Sequence, residues 1–240
     1  MQLGIIGLAR SGKTTVFNAV TRGSAQVGAY SSSAQPNVGV VNVPDARVDR
    51  LSAVFKPKKT TYATVTYTDI GGLDKGIGQG GLSGPMRNEL QQVDAFVHIV
   101  RAFEDPDIPH SEGSIDPGRD IAIIDDELLL SDQIIVERRI ERLQAGLKKG
   151  GDRLQKAKDE AELSLFWRLH ETLDHGAPLR DMELGAVELK SLRNYGLLTL
   201  KPLLIVLNVG DGPADQAIDS LCSYRHRHTT IAAIQGRLEM

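Results

Sequence analysis

Gly7-Leu8-Ala9-Arg10-Ser11-Gly12-Lys13-Thr14 follows a short apolar run, residues 2–6, and precedes residues 14–22, which read as a helix. The spacing Gly-x-x-x-x-Gly-Lys-Thr is that of a phosphate-binding loop. Its glycines let backbone N–H groups curl around phosphate oxygens, and the helix that follows turns its positive end toward them. Lys13 is expected at the β- and γ-phosphates, and the Thr14 hydroxyl on Mg²⁺. The candidate nucleotide-binding set is therefore Gly7, Leu8, Ala9, Arg10, Ser11, Gly12, Lys13, Thr14 and Thr15. A glycine turn without a ligand is the structural alternative, and the flanking strand and helix argue against it.

Working outward, strand-like runs occupy residues 38–43, 62–70, 94–101, 203–208 and 229–234, rich in Val, Ile, Thr and Tyr. Strands alternating with helices predict an α/β fold with a mostly parallel sheet. Asp69-Ile70-Gly71-Gly72 closes the third strand. Asp69 there is expected to serve the metal, and the Gly72 amide to sense the γ-phosphate. Leu73 stands where many GTPases carry a water-positioning glutamine, so hydrolysis must be assisted differently or be slow. Asn208-Val209-Gly210-Asp211 follows the fifth strand. A carboxylate at Asp211 can accept from guanine N1–H and its 2-amino group, which adenine lacks. Valine at 209, in place of the usual lysine, weakens the case for guanine.

Between the fourth and fifth strands the character changes. Residues 120–175 contain no proline, and Val136, Ile140, Leu143 and Leu147 repeat at helical spacing. Leu154, Ala157, Ala161, Leu165, Leu169 and Leu173 repeat in the same way. Gly150-Gly151 before Asp152 suits a helix stop and a new N-cap. Two antiparallel helices of about 25 residues are predicted, forming a projecting coiled-coil arm, with a third helix over 184–195. The predicted division is 1–119 for the first part of the nucleotide domain, 120–199 for the inserted arm and 200–240 for the remainder.

The chain resembles the YchF (Obg-like ATPase) branch of the Obg-related GTPases. The resemblance rests on the phosphate-binding loop, Gln35-Pro36-Asn37-Val38-Gly39-Val40-Val41, Asp69-Ile70-Gly71-Gly72-Leu73 with Lys75-Gly76, and Val97-His98-Ile99-Val100-Arg101-Ala102-Phe103-Glu104-Asp105. Glu112-Gly113-Ser114-Ile115-Asp116-Pro117 and Leu197-Leu198-Thr199-Leu200-Lys201-Pro202 extend it over nearly the whole length. It implies a G domain interrupted by a helical arm, hydrolysis of ATP as well as or better than GTP, and association with ribosomes or ribosomal RNA. It also implies a catalytic loop histidine at His110 and a switch hydroxyl at Ser33 that reaches Mg²⁺. Four departures stand out. The family's loop asparagine is Arg10, and the base motif ends in Asp211 rather than glutamate. The last strand's base motif is placed at Ile231-Ala232-Ala233, leaving backbone contact through Ala232. The sequence stops at Met240, where the family continues into a C-terminal TGS-type domain, which leaves both a truncated chain and a shortened relative open. Arg10 is expected either to set a fixed charge beside the γ-phosphate or to point into solvent.

Composition narrows the partners. A formal net charge of −3, with 41% hydrophobic and 25% charged residues, exerts no general pull on DNA or anionic membrane. Cys222 is the one cysteine, so no intrachain disulfide is possible. No apolar run approaches the ~20 residues of a membrane span, and a cytoplasmic location is expected. His226-x-His228 and Lys56-Pro57-Lys58-Lys59 read as solvated loops, with a metal site and a ribosomal RNA contact as their sharper alternatives. His98 reads as a satisfied core histidine. The leading expectation is a nucleotide-hydrolysing switch. Its alternatives are a nucleotide-binding module with negligible turnover and, more remotely, a kinase.

Overall fold

The computed structural model describes residues 1–23, 36–71, 82–149, 152–210, 218 and 224–236. Among these, six strands form one sheet in the order β2-β3-β1-β4-β5-β6. They are β1 (Gln2–Ile6), β2 (Asn37–Asn42), β3 (Thr64–Asp69), β4 (Ala95–Ala102), β5 (Leu203–Val209) and β6 (Thr229–Ile234). All neighbours run parallel except β2 and β3, which are antiparallel. The mostly parallel α/β sheet that the strand–helix alternation predicts is present. The β2–β3 connection contains a helix, residues 46–55, that buries no residue, and the chain returns beside β2 in the opposite direction as an antiparallel pair. The chain leaves β1 toward β3 on one side and β4 on the other, which opens a crevice at the β1 carboxyl end.

The helices are α1 (Lys13–Thr21), α2 (Ala46–Phe55), α3 (Gly84–Gln92), α4 (Pro117–Lys149), α5 (Arg153–Asp174) and α6 (Ala186–Leu192). Neither α2 nor α3 is legible in the apolar pattern, and α2 has no buried residue at all. Local chemistry marks it instead. Asp45 caps it by accepting from the Arg47 amide, and Lys56 closes it at φ 43°. The third predicted helix is shorter than its 184–195 span, and Arg193–Tyr195 tightens into a 3₁₀ turn.

Alternate residues of β4 supply two cores, as a strand buried at every position but its last must. Val97 and Ile99 join Ile5, Val206, Val16 and Phe17 on the α1 face. Phe96 and Val100 join Ile6, Ile205, Leu207, Leu90 and the first turns of α4 (Ile121, Ile124, Leu128) on the other. Further along, α4 changes partner. Val136, Ile140 and Leu143 are buried, and the first two pack with Leu165, Phe166, Leu169 and Leu173 of α5. Toward the far end of this hairpin the seam opens, with Leu154 65% exposed and Ala157 and Ala161 also exposed. No helix among the described residues is long and apolar enough to cross a membrane.

His98 departs from the expectation of a satisfied histidine. It is buried, and neither ring nitrogen has a hydrogen-bond partner among the described residues. The reason is positional. Its neighbours on the flanking strands are Ile6 and Ile205, which offer nothing polar beyond the ladder. His226 is not a free loop residue, since its Nδ1 lies 2.7 Å from Asp181 Oδ2.

Candidate functional site

β1 ends at Ile6 and the backbone swings into Gly7 at φ 147° and Gly12 at φ 93°. Both values fall where L side chains are strained, and neither site has room for one. A Cβ at Gly7 would sit 2.3 Å from the Ile99 carbonyl oxygen, and one at Gly12 2.3 Å from Asn208 Nδ2. These two glycines are thus fixed by fold and packing together. α1 then starts at Lys13, directing its N-terminal amides at the loop.

Lys13 is held within the loop itself. Its Nζ donates to the Gly7 carbonyl at 2.9 Å and the Leu8 carbonyl at 2.7 Å, so the ammonium spans the loop. Thr14 Oγ1 donates to Asp69 Oδ2 at 2.9 Å, joining the first turn of α1 to the end of β3. A hydroxyl and a carboxylate that close, at a helix start facing phosphate-binding amides, are oxygen donors suited to a hard divalent cation. Thr15 continues α1 one residue beyond them. Ser11 is buried and its hydroxyl has no partner among the described residues.

Asn208 ties the loop to the far side of the sheet. Its Nδ2 donates to the Ser11 carbonyl at 3.1 Å, while its Oδ1 accepts from the Gly236 amide at 3.2 Å. Gly236, whose amide donates to Asn208, is a residue that sequence reasoning does not single out. Ala232 lies inside β6 opposite Val206, where its backbone belongs to the sheet ladder. Ser33, Gly72, Leu73 and Asp211 lie outside the described residues.

His110 sits in the segment linking β4 to α4. Its ring is nearly sealed, with 4% side-chain exposure, and Nε2 lies 2.9 Å from Asp120 Oδ2. Nδ1 accepts from the Glu112 amide at 3.1 Å, so the Nε2 proton is the one given to Asp120. In this conformation the imidazole has no nitrogen left for a water. Arg119 grips the other oxygen of Asp120 and also the Ser114 carbonyl. Two further arginines hold the segment. Arg101, buried in β4, donates to the Phe103 and Ile108 carbonyls at 3.1 and 2.8 Å, and burial lowers its pKa. Arg10 reaches across from the phosphate-binding loop to donate to the Pro109 carbonyl at 3.1 Å. Arg10 is itself exposed, and this contact lies at the protein surface.

Below the loop, burial pushes the His98 imidazole down to about 3, with the Lys13 ammonium adding to the effect. The ring is neutral at any ordinary pH.

Comparison with known proteins places this geometry among relatives. No family model matches the chain. It is 40% identical over 211 residues to "Ribosome-binding ATPase YchF" of Bacillus subtilis, covering 87% of this chain and 56% of that protein. The protein of the same name from Escherichia coli O157:H7 is 37% identical over 210 residues, with the same coverage. Among solved structures, that of the Schizosaccharomyces pombe YchF GTPase superposes with a TM-score of 0.81 at 30% identity, over 100% of this chain and 66% of the other. The chain thus spans a little over half the length of the curated relatives it matches.

Proposed function

The chain is a YchF relative in sequence and in fold, and from that premise we propose that it binds a nucleoside triphosphate on Gly7–Thr14 and hydrolyses it as a molecular switch. The observation that carries this reading is the Thr14–Asp69 contact beside a loop whose two glycines cannot be replaced. Thr14 and Asp69 would hold Mg²⁺, which when bound neutralises charge on the β- and γ-phosphate oxygens. Lys13 would exchange two neutral carbonyls for phosphate oxygens, a stronger, charge-assisted contact. Asn208 would help fix the loop's shape by donating to the Ser11 carbonyl. His110 is the residue proposed to act on the attacking water, once its ring leaves Asp120.

With this reading go the division at 119/120 and 199/200, GTP or ATP as substrate with the base read by Asp211, and Ser33 and Gly72 as nucleotide-sensing positions. The ribosome is the proposed partner, supported by the names of the bacterial relatives. Asp211→Asn separates the bases: it should weaken guanine nucleotides and spare adenine.

Lys13→Ala tests the whole proposal. Triphosphate affinity by calorimetry should fall roughly a hundredfold or more, since a charge-assisted hydrogen bond contributes about 1.5–3 kcal/mol and this lysine makes several. Unchanged affinity in a folded variant would end the assignment. A second reading, binding without appreciable turnover, is favoured by one observation: both ring nitrogens of His110 are occupied. Single-turnover hydrolysis by the intact chain decides between them.

A further inference from the structure

Arg10 occupies the left-handed region at φ 60° within the phosphate-binding loop. Asparagine tolerates that conformation far better than arginine does. A bulky residue persisting there points to work done by its side chain. That side chain makes a contact spanning 99 residues of sequence, from Nη1 to the Pro109 carbonyl. Pro109 immediately precedes His110, so the acceptor is the peptide group attached to the histidine's own backbone nitrogen. The proline ring adds stiffness by fixing φ. The same segment is pinned at Phe103 and Ile108 by Arg101, and beyond His110 at Ser114 by Arg119. The Arg10 contact ties it to the phosphate-binding loop.

We propose that Arg10 is a positioning residue for hydrolysis: by holding the Pro109 carbonyl it sets the backbone of His110 at a fixed place relative to the phosphate-binding loop. The inference rests on the hydrolytic reading of the site. The imidazole then needs only side-chain rotation away from Asp120 to face the nucleotide, while its anchor stays put. Without the tether the histidine samples many placements, and a displacement of an ångström at a catalytic group costs on the order of a hundredfold in rate. Arg10 so described acts through His110 and does not touch the γ-phosphate itself.

The test uses the intact chain and compares wild type with Arg10→Asn, Arg10→Lys, His110→Ala and the double variant Arg10→Asn/His110→Ala. Asparagine suits the left-handed backbone and removes the tether without disturbing the loop. Expected are a fall of roughly ten- to a hundredfold in single-turnover hydrolysis by Arg10→Asn at saturating nucleotide, and partial recovery in Arg10→Lys. In the nucleotide-free protein, amide hydrogen exchange over residues 110–113 should quicken in Arg10→Asn. The double variant should hydrolyse no more slowly than His110→Ala alone. A further loss in the double variant would show a direct catalytic charge and overturn the proposal, as would unaltered exchange or faster hydrolysis in Arg10→Asn. If the wild type hydrolyses neither GTP nor ATP, the functional reading falls and this role falls with it. If it turns over normally and the exchange alone is unaffected, only the tether is wrong.

Discussion

At the scale of single residues, the glycines and His98 sit at opposite ends of legibility. Gly7 and Gly12 are readable in sequence because phosphate-binding loops require glycine at that spacing; the fold adds that Ile99 and Asn208 would collide with any side chain there. His98 offers no such signal, since an apolar strand looks the same whether its histidine is partnered or not. Its consequence is a pH dependence with a definite sign. The unfolded imidazole takes up a proton below its ordinary pKa of about 6.5, whereas the folded one, buried above all and repelled by Lys13, resists down to about 3. Between those values the unfolded state binds more protons, so stability is lost as pH falls. His98→Leu removes that term. In urea titrations, the stability of His98→Leu relative to wild type should rise by about 2 kcal/mol from pH 7 to pH 5. A pH-independent difference would mean that the wild-type ring finds a partner when protonated.

Among the elements, α4 and the strand-leading segment 197–202 explain each other. Leu197-Leu198-Thr199-Leu200-Lys201-Pro202 is recognisable as a string, but its physical task appears only when α4 is laid beside it. Asp132, fully buried in the middle of α4, accepts from the Leu198 amide at 2.8 Å and from the Thr199 amide and hydroxyl at 2.7 Å each. The Thr199 hydroxyl in turn accepts from the Leu179 amide. Lys201 finishes the joint by donating to the Leu90, Gln91 and Val93 carbonyls at the end of α3, and burial brings it down to about 8. Asp132→Ala strips three buried donors of their acceptor, each worth about 1–3 kcal/mol when left unpaired. Denaturation midpoints should drop sharply, by an amount equivalent to roughly 3–5 kcal/mol, with triphosphate affinity preserved wherever the variant remains folded. A mild loss, under about 1 kcal/mol, would place the joint's strength elsewhere. Sequence reading missed α2 and α3 for a related reason. Neither carries a full apolar stripe, because α2 buries nothing and α3 fully buries only Leu90.

For the molecule as a whole, the hairpin of α4 and α5 has its own apolar cluster, built from residues that the sheet cores do not share. Its outer end, where Leu154 and Ala157 stand exposed, contributes nothing to the nucleotide crevice. Replacing residues 146–160 by a short glycine turn should therefore leave triphosphate affinity within about twofold, as distant and unconnected sites add independently. Calorimetry on that variant checks it, and a tenfold loss would reveal coupling between arm and crevice. What the sequence determined alone was whatever depends on local spacing. That covers the spacing of the phosphate-binding loop, the six strand segments, the two long helices, and Asp69 and Asn208 as candidates at strand ends, because periodicity and glycine geometry are properties of neighbours along the chain. What the tertiary structure decided was every pairing between distant segments. Thr14 meets Asp69, Asn208 bridges Ser11 and Gly236, and Arg10 finds the Pro109 carbonyl. The physical reason is that a hydrogen bond depends on where two atoms end up, and for residues a hundred positions apart only the order of strands in the sheet sets that.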